Sequence, residues 1–208
     1  METRTTGMFK SLGTSIMEKA SIDKLEDFAK GKGIKYYTNS SLKNYSLVKN
    51  ERYSSSKFVV FELQNLFLIF YDSYTPKAFT SSTYCGLFKK MPECKNEMKI
   101  SKRYWLDNLS FRKRLKSGDS YIDNKVTIFS ENNEIDRFIL NSSTIRKYIE
   151  ITKRIMPLEI VTIKNSMSVV SELNGNNLIA LKSIDWILDT KELELFIEKG
   201  SELLNSIN

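Results

Sequence analysis

The densest positive charge of this 208-residue chain lies in residues 99–116, KISKRYWLDNLSFRKRLK, which we call the basic segment. Seven lysines and arginines are accompanied by one acid, Asp107, with aromatic side chains interleaved. Cationic side chains bind phosphates and carboxylates, and aromatic rings between them can stack on unpaired bases. The predicted binding residues are Lys99, Lys102, Arg103, Trp105, Arg112, Lys113, Arg114 and Lys116.

Several kinds of partner suit the basic segment. An acidic protein surface, anionic lipid headgroups and single-stranded nucleic acid are each attracted by its charge. The alternative is a solvated basic face whose aromatic rings turn inward. Residues 1–116 carry 22 Lys and Arg against 11 Asp and Glu, whereas residues 117–208 carry 10 against 14. This asymmetry makes the basic segment the leading candidate for a binding surface.

The residue types that several kinds of catalysis need are missing from the sequence. The chain contains no histidine, which excludes Ser-His-Asp and Cys-His nucleophilic catalysis and His-ligated zinc. No phosphate-binding glycine loop occurs, neither G-x-x-x-x-G-K-[ST] nor G-x-G-x-x-G. We predict no catalytic residue, no cofactor and no metal site. A metal-dependent enzyme is the weakest alternative; its carboxylates, whose spacing fits no calcium-binding loop, would be Glu131, Glu134 and Asp136.

The cysteines and the N-terminus both indicate a reducing compartment. Cys85 and Cys94 are separated by eight residues, a poor spacing for zinc, so we expect two free thiols. A disulfide stays open if the chain turns between them. The first twenty residues lack the apolar core of a secretory signal. We therefore predict a cytoplasmic protein and leave open its attachment to the membrane surface.

The most hydrophobic stretch, residues 57–74, is predicted to be a buried hairpin. It is too short, and too polar at its centre, for a transmembrane helix of ~20 apolar residues. Its Phe, Val, Ile and Tyr favour strands, with a tight turn at Gln64-Asn65. Both faces of the second strand are apolar, which indicates a central strand that is covered on both sides.

Around this hairpin the hydrophobic periodicity predicts an α+β fold, with antiparallel sheet and three packed helices. The first helix spans residues 8–30 and ends at Gly31-Lys32-Gly33. Asn141 or Ser142 caps a mid-chain helix that Pro157 terminates. The last helix runs from Asp189-Thr190 to about Ser206, with Gly200 weakening its centre.

The remaining pattern predicts mainly strands. Residues 1–33 form an N-terminal helical segment and residues 34–208 an α+β domain, for which a division into two subdomains near residue 120 stays open. A short helix is predicted over Asn133–Leu140, and residues 106–121 are left open between helix and loop. The predicted strands are Ile34–Thr38, Lys57–Leu63, Leu66–Tyr74, Ser82–Met91, Met98–Tyr104, Lys125–Ser130, and a meander of Leu158–Lys164, Met167–Leu173 and Asn177–Ser183.

Two short patterns, YCGLF at Tyr84–Phe88 and the stretch Asp123–Ile151, resemble a prokaryotic domain-of-unknown-function family. Its members run F-x-G-L-F and later F-x-V-Y-s-x-D-x-x-E-A-R-Y-I-L-T-p, followed by a helix, a strand meander and a closing helix. The resemblance implies an α+β fold over residues 34–200 and no particular activity. Many members carry paired transmembrane helices ahead of the domain, a pattern that this chain lacks. Asp136 and Asn141 replace the usual Ala and Thr, and the matching residues are Gly86, Leu87, Phe88, Val126, Ile128, Phe129, Ile135, Arg137, Phe138, Ile139 and Leu140.

Together these observations predict a non-catalytic, cytoplasmic interaction module that binds a protein partner through the basic segment. The alternatives are a peripheral membrane protein and a nucleic-acid-binding protein that use the same residues. The sequence does not indicate the oligomeric state.

Overall fold

The computed structural model describes residues 21–39, 55–75, 80–94, 96–104, 114–130, 139 and 141–207. Several sequence predictions lie outside these residues. They are the first part of the N-terminal helix (residues 8–20), most of the connection after the first strand (residues 40–54), most of the short helix predicted at 133–140, and the acidic cluster Glu131, Glu134 and Asp136.

Twelve regular elements and one short 3₁₀ turn make up the described part of the chain. Helix α1 comprises residues 21–32, and the turn lies at Ser171–Leu173. The others are β1 (Lys35–Asn39), β2 (Ser55–Leu63), β3 (Leu66–Thr75), β4 (Thr80–Met91), β5 (Met98–Lys102), α2 (Ser120–Lys125), β6 (Val126–Ser130), α3 (Ser142–Thr152), β7 (Leu158–Ile163), β8 (Asn177–Ser183) and α4 (Thr190–Asn205).

The strands form one antiparallel sheet in the order β1-β2-β3-β4-β8-β7-β5-β6. The predicted α+β fold is therefore confirmed. Strand β8 joins the hairpins of the first half to β7 and β5. The division into subdomains near residue 120 stays a prediction, although β5 and β6, which lie on either side of that point, pair with each other.

The predicted buried hairpin at residues 57–74 is confirmed, and its strands β2 and β3 are the second and third of the eight-stranded sheet. Leu63 pairs with Leu66 across the two-residue turn. Phe61 and Phe70 project to one face of the sheet, where the apolar sides of α1, α3 and α4 cover them. Val60 and Ile69 project to the other face and are equally buried. The double coverage explains why both faces of the sequence pattern are apolar.

The predicted strand Met167–Leu173 is wrong, because these residues belong to a loop that connects β7 to β8 across the second face of the sheet. Ser166 donates its hydroxyl to the Leu173 carbonyl oxygen at 2.6 Å, which closes the loop on itself. Asn165 and Gly175, with φ of 43° and 71°, supply left-handed turns at its two ends. Val170 and Leu173 then pack on the sheet. Their apolar character comes from this packing, and not from a strand.

Helix α4 approaches the sheet most closely at Gly200. A Cβ atom at this position would lie 2.5 Å from Leu87 Cδ1 and 3.2 Å from Leu181 Cδ2, and both leucines are fully buried. The glycine costs helix propensity, as the sequence predicts, but it also lets the helix backbone contact β4 and β8. Gly31 in α1 offers a contrast, since a Cβ atom there would meet nothing within 4 Å.

Alanine should therefore have opposite effects at these two helical glycines. Gly200→Ala should lower the free energy of unfolding by roughly 1–2 kcal/mol, because overpacking against Leu87 outweighs the gain in helix propensity. Gly31→Ala, the matched control, should raise it by up to about 1 kcal/mol. Urea denaturation of both variants measures the two effects. Equal stabilisation by both substitutions would show that Leu87 and Leu181 can move to accommodate a methyl group at position 200.

Candidate binding surface

The described residues of the basic segment make contacts in different parts of the fold. Lys99 lies on β5 and its ammonium group is 2.5 Å from the Glu159 carboxylate on β7. On β8, opposite Glu159, Lys182 places its ammonium group 4.1 Å from the centre of the Tyr84 ring. Burial lowers the pKa of Lys182, Glu159 opposes that shift, and Lys99 adds to it. Lys99, Glu159 and Lys182 therefore form a row of charged side chains on the adjacent strands β5, β7 and β8.

Two arginines of the basic segment hold the short helix α2 in place. Arg103 donates to the Asp123 carbonyl oxygen at 3.0 Å, and Arg114 donates to the same oxygen and to that of Val126. A helix leaves its last carbonyl groups without backbone partners, so cations at this end are stabilising. The Asp123 side chain accepts from the backbone N–H and the hydroxyl of Ser117, which ties the incoming loop to α2. Both arginines therefore have a structural role.

An exposed pair of apolar side chains lies beside the end of β5. Tyr104 is 43% exposed and Met156 is 52% exposed. The Tyr104 hydroxyl lies 3.7 Å from Met156 Sδ, and Lys102 Nζ lies 3.4 Å from the same sulfur atom. We call Lys102, Tyr104 and Met156 the Tyr104–Met156 surface. It combines an aromatic ring, a thioether and a cation on the outside of the protein.

Buried Tyr148 on α3 fixes the backbone beneath this surface. Its hydroxyl donates to the Leu158 carbonyl oxygen at 2.6 Å, and the nearby backbone of Lys102 opposes the effect of burial on its pKa. One buried hydroxyl thus links α3 to the start of β7, two residues from Met156, and lies beside the end of β5, two residues from Tyr104. Burial raises the pKa of Tyr148 well above its ordinary value. The phenol consequently remains protonated and can keep donating to Leu158.

Four of the predicted binding residues remain. Lys116 is exposed, while Trp105, Arg112 and Lys113 lie outside the described residues. The sequence prediction missed Met156 altogether. Its only signal was its position between the mid-chain helix and Pro157, where an apolar residue no longer belongs to the helical stripe.

Both cysteines are free thiols, as expected, and the structure shows that both are buried. Cys94 donates to the Asn96 carbonyl oxygen at 3.2 Å. Burial raises the pKa of Cys85 to about 12, with the hydrogen bond from the Ile187 backbone opposing the shift. A thiol with so high a pKa is a poor nucleophile at neutral pH. Among the described residues, no group of three or more acidic or cysteine side chains could hold a metal ion.

Comparison of the chain with family models, with curated proteins and with solved structures finds no match. In the part of the chain that the structure describes, no helix has both the length and the apolar character that crossing a bilayer demands.

Removing the Tyr148 hydroxyl should destabilise the protein. Tyr148→Phe leaves the Leu158 carbonyl group without its buried donor, so the free energy of unfolding should fall by about 1–3 kcal/mol in urea denaturation. Tyr104→Phe removes an exposed hydroxyl and should stay within about 0.5 kcal/mol of the parent. If Tyr148→Phe is as stable as Tyr104→Phe, the Tyr148 hydroxyl does not fix the backbone as we describe.

The buried thiol of Cys85 should make stability fall at alkaline pH. Its pKa in the folded protein lies above the ordinary value of 9.0, so the unfolded chain loses this proton first as pH rises. The stabilisation is complete below about pH 9 and is lost between there and about pH 12. Cys85→Ala should therefore reduce the loss of unfolding free energy between about pH 9 and pH 10 by up to about 1.4 kcal/mol.

Urea titrations at each pH measure this slope for the parent and the variant. The cavity that alanine leaves shifts stability equally at every pH, so it does not affect the comparison. Identical slopes in the two proteins would contradict the assignment to Cys85.

Proposed function

We propose that this protein is a non-catalytic binding module for a protein partner, which docks on the Tyr104–Met156 surface. The observation that carries the proposal is the exposure of Tyr104 and Met156 side by side, beside the cation of Lys102. Tyrosine and methionine are enriched in protein–protein interfaces, where a ring or a flexible thioether fills a pocket of the partner. The proposed partner is a protein, as the sequence predicts. The proposed surface is centred on Tyr104 and Met156, and not on the whole basic segment.

The rigidity of the backbone under the surface supports the same proposal. Tyr148 donates to the Leu158 carbonyl oxygen near Met156, and Arg103, next to Tyr104, donates to the Asp123 carbonyl oxygen, so the two exposed side chains start from fixed positions. A surface that is organised before binding loses less conformational entropy when the partner docks. Two exposed residues on such a frame can therefore contribute more to affinity than their area suggests.

The charges favour a protein over nucleic acid as the partner. Phosphate binding depends on cations that can exchange their counterions for phosphate oxygens. Lys99 already contacts Glu159, and Arg103 and Arg114 donate to the carbonyl oxygen of Asp123. Their engagement within the fold reduces the support for a nucleic-acid or lipid surface made of these residues. A non-catalytic role in the cytoplasm is supported by the absence of histidine from the sequence and by the buried, protonated thiol of Cys85.

Photo-crosslinking in source cells tests this proposal. A photoreactive amino acid replaces Tyr104 in one variant and Met156 in another, and the products are identified by mass spectrometry after nuclease treatment. We expect both positions to capture the same protein. The control is Met167, a methionine that is 78% exposed on the loop between β7 and β8; the probe there should not capture that protein.

Affinity for the captured protein should depend on the same side chains. Met156→Ala should weaken binding about tenfold in a purified complex, in line with the loss of an interface anchor. Met167→Ala removes an equally flexible exposed side chain and should leave the affinity unchanged. Crosslinks from Tyr104 and Met156 to nucleic acid in place of protein, or equal effects of the two substitutions, would contradict a protein-binding role for this surface.

A further inference from the structure

A groove between α3 and α4 lies next to the Tyr104–Met156 surface, and we call it the α3–α4 groove. Arg154 lines the groove and stands two residues before Met156, so the two features meet at the C-terminal end of α3. The groove has a volume of about 370 Å³, within the range of ligand pockets. Its lining residues are Lys147, Glu150, Ile151, Arg154, Leu195, Lys199 and Glu202.

The floor of the groove is apolar. Ile151 is buried in the core and presents the edge of its side chain, while Leu195 on α4 is half-buried. Two leucine- or isoleucine-sized side chains on neighbouring helices form the type of floor that accepts an apolar anchor from a partner helix.

The charges on the rim are only partly compensated within the protein. Glu150 forms an ion pair with Lys153 at 2.6 Å, and Glu202 forms one with Lys199 at 3.0 Å. Both acids of the rim are thus occupied. Lys147 and Arg154 are exposed, and neither forms an ion pair with any of the residues that the structure describes. The rim therefore offers two cations and favours an acidic partner.

The spacing of these two cations defines the partner further. Lys147 lies on α3, and Arg154 lies two residues beyond its end in a turn where the Arg154 N–H donates to the Ile151 carbonyl oxygen at 3.0 Å. The two cations are seven residues apart, a separation of about 10 Å at the helical rise. Two carboxylates that are two helical turns apart on a partner helix match that distance. An apolar side chain midway between those carboxylates would then face Ile151 and Leu195.

We infer that the α3–α4 groove binds an acidic amphipathic helix of the partner protein, with carboxylates facing Lys147 and Arg154 and an apolar side chain on the floor. The inference rests on the proposed function for the class of partner, and it adds the chemistry of the segment that is recognised. Binding of this kind places the end of the helix against Met156, so the groove and the Tyr104–Met156 surface form one continuous interface.

The first probe is a fluorescent helical peptide with Glu at two positions seven residues apart and two leucines between them. A control peptide carries Lys at those two positions and is otherwise identical, so the two peptides have the same apolar content. Fluorescence anisotropy with the full chain should show saturable binding of the Glu peptide and at least about tenfold weaker binding of the Lys peptide. Affinity for the Glu peptide should fall as salt is raised.

Reversing the charge of the two groove cations tests whether the peptide binds in the groove. Lys147→Glu and Arg154→Glu should each lower the affinity for the Glu peptide by about threefold to tenfold. Combining the two substitutions should reverse the preference in favour of the Lys peptide. Lys191→Glu is the matched control, because Lys191 is an exposed lysine on α4 that does not line the groove. It makes the same change in net charge and should leave the affinity unchanged.

Several results would overturn the inference. Absence of saturable binding up to about 1 mM would do so, as would equal binding of both peptides or equal effects of Lys147→Glu and Lys191→Glu. If instead the chain self-associates, and the variant with both Lys147→Glu and Arg154→Glu does not, the groove binds a second copy of the chain. Failure here is distinguishable from failure of the proposed function, because crosslinking from Tyr104 and Met156 reads out the partner without using the groove.

Discussion

The hydroxyl group of Tyr148 makes the contact on which the proposed interface depends. It lies in the core and donates to the Leu158 carbonyl oxygen at 2.6 Å, next to the backbone of Lys102. Helix α3 is thereby attached to the start of β7, beside the place where β5 ends. A buried hydroxyl with a satisfied partner thus fixes the backbone that presents Met156.

Three cations of the basic segment make contacts within the fold. Arg103 and Arg114 stabilise the end of α2, and Lys99 balances Glu159 on the sheet. The two arginines hold α2 and the start of β6 to the rest of the fold. The cations that face solvent beside the apolar surfaces are Lys102 on β5 and Lys147 and Arg154 on or just after α3, and two of these three lie outside the basic segment. Density of charge along a sequence therefore does not reveal which charges remain available to a partner.

The local features of the fold could be predicted from the sequence because each rests on neighbouring residues. The apolar hairpin, the cap at Asn141 and the cap at Asp189 are examples: both caps accept hydrogen bonds from the first turn of their helices. Predictions failed where distant contacts decide the structure. Residues 167–173 contain apolar residues that favour a strand, but Val170 and Leu173 pack on β2 and β3 from within a loop. The position of Arg103 depends on the Asp123 carbonyl group, which is twenty residues away in the chain.

The exposed methionines allow the central claim to be measured in one spectrum. In protein carrying ¹³C-labelled methionine methyl groups, Met156 and Met167 give separate probes of the proposed surface and of the loop between β7 and β8. On addition of nuclease-treated lysate from source cells, the account predicts that the Met156 methyl resonance shifts or broadens while that of Met167 keeps its position. An unchanged Met156 resonance, or a change confined to Met167, would contradict a protein partner at the Tyr104–Met156 surface.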